Sequence, residues 1–356
     1  MRRATQPVVE PDTGPPASVR AAGGVVLLFP GQGAQRRGMA VDLYRRHEPF
    51  RVTMDAIFEF WGGEGEAIRA DWLSDDPVVG IDDFRRSQPL LFAIEVALAK
   101  VIRAAGIEPV ALLGHSVGEI AAAVIAGVAT VADAAAMLME RLGQLADAPS
   151  GGMLAVAASA TEVEPLLRDG VSLAAVNGPK QIMVAGPNEP LERARLRLAK
   201  AGLITQRVHV AIPFHSPVLA PLAARSLSAL ESMSLSLPAL PLYSGYTGAL
   251  LGREATDPGF WAAQPARTVF FATALDAIAR SGPCAFVEAG PWQLTALVRR
   301  HPLITRSGGQ AFALLPRQVR TIGGAEHLAA TLDQIRVSCP QRGSCSAGVP
   351  EISNPL

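Results

Sequence analysis

The stretch from Pro109 to Gly127 constrains this chain more than any other. The uninterrupted apolar run Pro109-Val110-Ala111-Leu112-Leu113 breaks at Gly114-His115-Ser116-Val117-Gly118. An Ala-rich stretch then runs to Ala126 and stops at Gly127. A continuous apolar run reads as a strand buried on both faces, and the Ala-rich stretch reads as a buried helix. Gly-x-Ser-x-Gly on a strand-to-helix turn is the nucleophile-elbow pattern. Small neighbours let the turn close tightly enough to push the Ser116 hydroxyl outward. The helix that begins there offers unpaired N–H groups and a partial positive charge to a developing oxyanion.

Other segments predict an α/β fold. Val25-Val26-Leu27-Leu28-Phe29 is a second buried strand, ended by Pro30-Gly31 and followed by the loop Gly31-Gln32-Gly33-Ala34-Gln35. A helical pattern runs from Gln88 to about Arg103, and Thr130 caps a helix to about Ala146. Past Gly151-Gly152 the pattern changes. Strands at Met153–Ala157, Ser172–Val176, Gln181–Ala185 and Gln206–Ile212 alternate with helices near 161–168 and 189–201. That β-α-β-β-α-β order is the split βαβ, ferredoxin-like unit. The fold predicted is a large α/β-hydrolase-like body with a parallel sheet, residues 24–151 and 213–336. It carries an inserted small ferredoxin-like α+β subdomain, residues 152–212. Ser216 and Pro217 have the residue types of a helix start. Strands at Pro241–Ser244 and Ala285–Val287, a helical stretch near 258–280 and a helix to about Arg300 complete the body. The composition of residues 1–23 and 337–356 predicts a disordered head and tail.

Composition excludes several roles. Lys plus Arg and Asp plus Glu are 32 each, so the net charge is zero. No general affinity for nucleic acid or for an anionic membrane follows from that balance. Cys284, Cys339 and Cys345 form neither a disulfide framework nor a metal motif, which predicts no metal and a reducing, cytoplasmic setting. No apolar run is long enough for a transmembrane helix, and Glu10-Pro11-Asp12 interrupts any signal peptide begun by Met1-Arg2-Arg3.

A serine nucleophile needs a base. Of six histidines, His47 and His327 lie in polar helical stretches, His301 beyond the last core helix and His209 inside an extended run. His115 adjoins the serine, and adjacent side chains at a turn diverge. His215, at the end of an apolar run and just before a helix start, is placed to enter the cleft at the end of a sheet. The acids between the two, Asp133, Asp147, Glu162, Glu164 and Asp169, follow no convincing parallel strand. A Ser116–His215 dyad is therefore expected rather than a triad.

These residues carry a family resemblance. The chain resembles the malonyl-CoA:acyl-carrier-protein transacylases and the acyltransferase domains of polyketide synthases. The matching stretches are Phe29-Pro30-Gly31-Gln32-Gly33-Ala34-Gln35, Ser87-Gln88-Pro89, Gly114-His115-Ser116-Val117-Gly118-Glu119, and Arg141. Further on come Gly152-Met153-Leu154-Ala155-Val156, Asn177-Gly178-Pro179, Phe214-His215-Ser216 and Glu288-Ala289-Gly290-Pro291. They run in family order from about 25 to 300. The resemblance implies a ping-pong transfer, in fatty-acid or polyketide synthesis, by a free-standing, monomeric acyltransferase. Ser116 takes the acyl group from acyl-CoA while His215 takes its proton. The phosphopantetheine thiol of an acyl-carrier protein then accepts the group. No cofactor is bound permanently; acyl-CoA is substrate and the pantetheine arm belongs to the partner.

It further implies an oxyanion hole from the backbone N–H groups of Gln32 and Val117, and a backbone carbonyl at Gln264 orienting His215. Arg141 corresponds to the family's carboxylate-binding arginine. A guanidinium grips a carboxylate through two parallel hydrogen bonds, so the acyl unit implied is of malonyl type. His115, Asn177 and Phe214 line the implied substrate pocket, with Phe214 resembling the malonyl-selective form of its motif. Ile212-Pro213 and Trp292 depart from the family pattern. Acidic carrier proteins call for basic residues at the cleft mouth, with Arg36, Arg37, Lys180 and Arg299 as candidates. The same residues admit two other readings: a proofreading hydrolase that clears acyl groups from carrier proteins, and a catalytically silent docking protein. Arg141 disfavours the first, and the joint presence of Ser116, His215 and Arg141 disfavours the second.

Overall fold

The computed structural model, which describes residues 23–317 and 323–339, sets the two apolar runs side by side. Strand β1 (Val25–Phe29) lies parallel to β2 (Pro109–Gly114), with Phe29 opposite Gly114. Between them the chain forms α1 (Val41–Arg46), α2 (Glu48–Phe60), α3 (Gly62–Leu73) and α4 (Phe84–Ala104). After β2 come α5 (Gly118–Ile125) and α6 (Val131–Leu145). The antiparallel sheet follows: β3 (Gly151–Val156), α7 (Ala160–Val163), β4 (Ser172–Gly178), β5 (Gln181–Pro187), α8 (Asn188–Lys200) and β6 (Thr205–Arg207). The chain then adds α9 (Ala220–Leu230), β7 (Leu242–Tyr243), α10 (Pro258–Ala263), α11 (Phe271–Ala279) and β8 (Ala285–Glu288). It ends in α12 (Leu294–Arg300), α13 (Pro302–Arg306), β9 (Gln310–Ala313) and α14 (Gly324–Ser338).

The first sheet is parallel throughout, in the order β7-β2-β1-β8-β9. All five residues of β1 are buried, as a strand covered on both faces requires. The second sheet is antiparallel, in the order β4-β5-β3-β6, the spatial order of a ferredoxin-like unit. Its own core gathers Leu154, Val156, Ile182 and Val184 beneath Leu191, Ala194 and Leu198 of α8. The fold class read from the sequence is thus present: a parallel α/β sheet beside a small antiparallel one. The two are stitched where Val176 N–H donates to Val269 O at 2.7 Å and Val269 N–H donates to Ala174 O at 2.9 Å.

Several local expectations are corrected. The strand expected over Gln206–Ile212 is confined to β6. Beyond it the chain turns tightly, with Val210 N–H bonded to Val208 O and Phe214 N–H to Ile212 O, each at 2.9 Å. The helix expected near 258–280 is broken by Pro265 into α10, a 3₁₀ turn at Gln264–Ala266, and α11. Ser216 does not cap a helix: its hydroxyl donates back to Pro213 O at 2.9 Å, and Pro217 opens a 3₁₀ turn before α9. Helix α14 continues through Ser338, into the stretch expected as a disordered tail. The remainder of that tail, and the head up to residue 22, lie outside the described residues.

Two glycines let β1, β2 and α5 meet. A Cβ on Gly118 would stand 2.3 Å from Phe29 O and 2.5 Å from Pro30 O, and one on Gly114 would stand 2.2 Å from Glu119 Cα. Backbone cannot yield as a side-chain tip can. Gly118→Ala should therefore cost at least about 3 kcal/mol of stability, as severe overpacking does. Gly143, exposed within α6 and with nothing near its would-be Cβ, should gain about 1 kcal/mol on replacement by Ala through helix propensity alone. Chemical denaturation of the two variants checks both signs.

Candidate active site

Parallel-sheet ligand sites form at the carboxyl ends of the strands. Here the ends of β1 and β2 are neighbours, and His115 N–H donates to Phe29 O at 2.9 Å. Ser116 follows with φ of +56°. A non-glycine residue in that left-handed region costs on the order of 1–3 kcal/mol and persists only where the surroundings fix it. The surroundings are tight: a Cβ on Gly31 would reach His115 O at 2.6 Å and Ser116 Cβ at 3.1 Å. His215 also has a positive φ, +59°. Ser116 Oγ and His215 Nε2 lie 2.7 Å apart although 99 residues separate them.

Residues 264–267 hold the imidazole. His215 N–H donates to Pro265 O at 2.7 Å. His215 Nδ1 faces Gln264 O at 3.3 Å and Arg267 O at 3.1 Å. Both are acceptors, so Nδ1 carries the proton and Nε2 presents its lone pair to Ser116. Burial, then the neighbouring His115, push the His215 pKa down to about 3, against the pull of the two carbonyls. The ring is a neutral base at physiological pH.

Gln32 sits on the turn after β1, with its side-chain oxygen accepting from Gln88 Nε2 at 2.9 Å. Among the described residues the backbone N–H groups of Gln32 and Val117 donate to no protein acceptor. Both belong to the turns that meet at Ser116. Val117 also immediately precedes α5, whose positive end adds to any anion-stabilising effect there.

Arg141, on α6, is buried, and its Nη2 donates to Trp261 O at 3.0 Å and to Gln264 Oε1 at 3.1 Å. Both acceptors are neutral. The nearby carboxyl is Glu119, fully buried, which accepts from Ser244 Oγ at 2.6 Å and Gly245 N at 2.9 Å. Burial raises its pKa to about 8 despite those bonds and the Arg141 charge, which favours the neutral acid. Among the described residues the guanidinium makes no direct ion pair.

His115 Nε2 lies 2.8 Å from Asn177 Oδ1, which ties the nucleophile turn to β4 of the second sheet. Its ring centroid is 5.3 Å from that of Phe271, and burial lowers its pKa. Phe214 is buried, 6.5 Å from His215 between ring centroids. The other histidines are engaged elsewhere or exposed. His47 Nδ1 caps α2, His301 Nε2 is 3.0 Å from Asp276, His327 Nε2 meets Ala313 O at 2.9 Å, and His209 is exposed. His301 is buried, where Pro302 opens a further helix past α12. Among the four candidate surface cations, Arg37 pairs with Asp75 and Arg299 lies over the Trp292 ring at 4.3 Å, while Arg36 and Lys180 are exposed.

Sequence reasoning missed Tyr246. Its ring is buried, 5.9 Å from that of His215, and its hydroxyl neighbours Ser116. The signal was positional. Strand β7 pairs with Leu112 and Leu113 of β2, so the residues after it emerge beside the Ser116 turn.

Comparison with known proteins places these residues in context. Residues 26–341 match the family described as Acyl transferase domain. The Spectinabilin polyketide synthase system protein NorA' of Streptomyces orinoci is 35% identical over 342 residues, 92% of this chain and 9% of that protein. The crystal structure of the acyl transferase domain of SpnD, in complex with 2-(pent-4-yn-1-yl)malonyl, has a TM-score of 0.82 at 30% identity, covering 94% of this chain and 80% of that one. An acyl carrier protein S-malonyltransferase from Vibrio cholerae has a TM-score of 0.71 at 27% identity, covering 81% of this chain and 96% of that one. The chain spans only 4 to 19% of the length of the polyketide synthases it matches.

The neutral state of His215 can be measured. Its ring should show no NMR titration between about pH 8 and pH 5, where an unperturbed histidine changes charge. A folded-state pKa below the unfolded value means the unfolded chain binds the extra proton, so stability is lost as pH falls below about 6.5. His215→Gln should reduce that acid-side loss, and thermal unfolding at pH 7 and pH 5 reads it.

Proposed function

The chain belongs to the acyl transferase domain family, and from that premise we propose that it moves a malonyl-type acyl group from coenzyme A to the phosphopantetheine thiol of an acyl-carrier protein. The observation that carries this reading is the double role of Gln264. Its backbone oxygen faces His215 Nδ1, and its side-chain oxygen accepts from Arg141. One residue thereby fixes the base of an acyl-transfer pair and a buried arginine whose charge suits a carboxylate.

The geometry supports the following chemistry. Ser116 Oγ attacks the thioester carbonyl as its proton passes to His215 Nε2. The oxyanion is held by the N–H groups of Gln32 and Val117, aided by the end of α5. The tetrahedral intermediate collapses by breaking the C–S bond, and His215 returns the proton to the departing thiolate of coenzyme A. The ester on Ser116 is then attacked by the carrier thiol, with His215 again taking and giving the proton. Arg141 holds the distal carboxylate of the acyl group. Desolvated charge-assisted hydrogen bonds contribute roughly 1.5–3 kcal/mol, about tenfold to over a hundredfold in favour of malonyl over acetyl. The relatives give support by name: polyketide synthases, an acyl carrier protein S-malonyltransferase, and a domain crystallised with a substituted malonyl group. Residues 152–212 form the inserted unit in this reading. Its Asn177 steadies His115, and the carrier protein enters at the mouth between insert and body, near Arg36 and Lys180.

Intact-protein mass after mixing with malonyl-CoA, acetyl-CoA or methylmalonyl-CoA tests the reading. Wild type should gain a malonyl adduct that disappears when carrier protein bearing its pantetheine arm is added, with the mass appearing on the carrier. Ser116→Ala should gain none, and Arg141→Ala should lose at least about tenfold of the malonyl-over-acetyl preference. Failure of every CoA thioester to label wild type overturns the proposal. Release of free acid with the carrier left unmodified identifies a hydrolase instead.

A further inference from the structure

Helix α10 and the residue after it support three parts of the site at once. Trp261 O and the Gln264 side chain hold Arg141, Gln264 O faces His215, and Phe260 packs edge-on against Tyr246, with ring centroids 6.5 Å apart at 88°. Trp261 in turn packs perpendicular to Phe260 at 5.1 Å, and its indole N–H is anchored on Ala255 O at 2.9 Å. The Tyr246 backbone is fixed from the other side. Its N–H donates to Ser244 Oγ at 3.0 Å, and Ser244 donates to the buried Glu119 at 2.6 Å. The tyrosine ring therefore has little freedom to swing away.

Its surroundings give that rigidity a use. The ring lies 5.9 Å from His215 and is buried. The hydroxyl neighbours Ser116 and feels the Arg141 charge, while burial raises its pKa so that it stays protonated and uncharged. An acyl group esterified to Ser116 with its carboxylate on Arg141 would join two groups that the Tyr246 hydroxyl adjoins. Building on the malonyl-transfer reading above, we propose that Tyr246 is a specificity-determining residue: its ring walls the space beside the α-carbon of the acyl group, admitting unsubstituted malonyl and rejecting malonyl units with an alkyl branch there. A stiff, close-packed wall yields little to an added methyl group. A methylene-sized difference is worth about 10–200-fold where a pocket is that rigid.

Competition loading from mixtures of malonyl-CoA and methylmalonyl-CoA, followed by intact mass, tests this assignment. Wild type should take malonyl in preference by at least about tenfold. Tyr246→Val and Tyr246→Leu should raise methylmalonyl loading and lower that ratio at least about tenfold. Tyr246→Phe should keep the wild-type ratio, because the ring volume remains. Wild type that loads both units equally overturns the proposal even if the smaller variants do not fold. So does an unchanged ratio in a valine or leucine variant that loads malonyl, or loss of all loading in one that is folded. A Tyr246→Phe ratio that shifts as far as the valine variant's overturns it too, by assigning the selection to the hydroxyl. Wild type that loads no CoA thioester is a different failure: it contradicts the acyl-transfer reading on which this inference stands.

Discussion

The 2.7 Å contact between Ser116 Oγ and His215 Nε2 is the interaction on which the rest of the site depends. Each partner occupies the left-handed backbone region, where a side-chain-bearing residue costs on the order of 1–3 kcal/mol. Two such residues in register require a scaffold that removes every cheaper alternative. For Ser116 the scaffold is the parallel pairing of β1 and β2, with Gly31, Gly114 and Gly118 allowing backbone to pass within distances that a Cβ forbids. For His215 it is the 264–267 turn, which engages the backbone N–H and Nδ1 together. Strain at the turns is thus balanced by packing and hydrogen bonds made elsewhere in the fold.

The same burial that makes this geometry rigid sets the charge states. Desolvation keeps His215 and His115 neutral and raises the Glu119 pKa to about 8. A neutral imidazole at Ser116 is what a general base requires. With burial favouring the neutral form of Glu119, Arg141 makes no direct ion pair among the described residues, and a buried charge in that state favours binding a carboxylate. The neutral imidazole of His215 and the lack of an ion pair at Arg141 therefore share one physical origin, burial. Water entering between α6, α10 and the β7 loop would raise the His215 pKa towards its ordinary value and screen the Arg141 charge.

How much of this was legible in the sequence follows the range of each interaction. Ser116 was legible because strand, turn and helix are consecutive in the chain, so the signal is local. His215 was legible by elimination and by its place before a helix start, although the start proved to be a 3₁₀ turn with Ser216 bonded backward to Pro213. The antiparallel sheet was legible as alternating short strands, but β6 was overread, since the apolar residues after it turn rather than extend. Tyr246 and the side-chain role of Gln264 were not legible. Each acquires its neighbours only when β7 docks on β2 and α10 reaches α6, contacts that span more than 100 residues. Their backbones carry no local mark of this: neither has a strained φ.

The central claim is that one buried site joins an activated serine to a carboxylate-reading arginine. A crystal structure of the malonylated protein tests it most directly. The geometry predicts an ester on Ser116 Oγ, its carbonyl oxygen within hydrogen-bond reach of the Gln32 and Val117 N–H groups, and its carboxylate on Arg141. An ester on any other residue, or a malonyl carboxylate turned away from Arg141 into solvent, would contradict it.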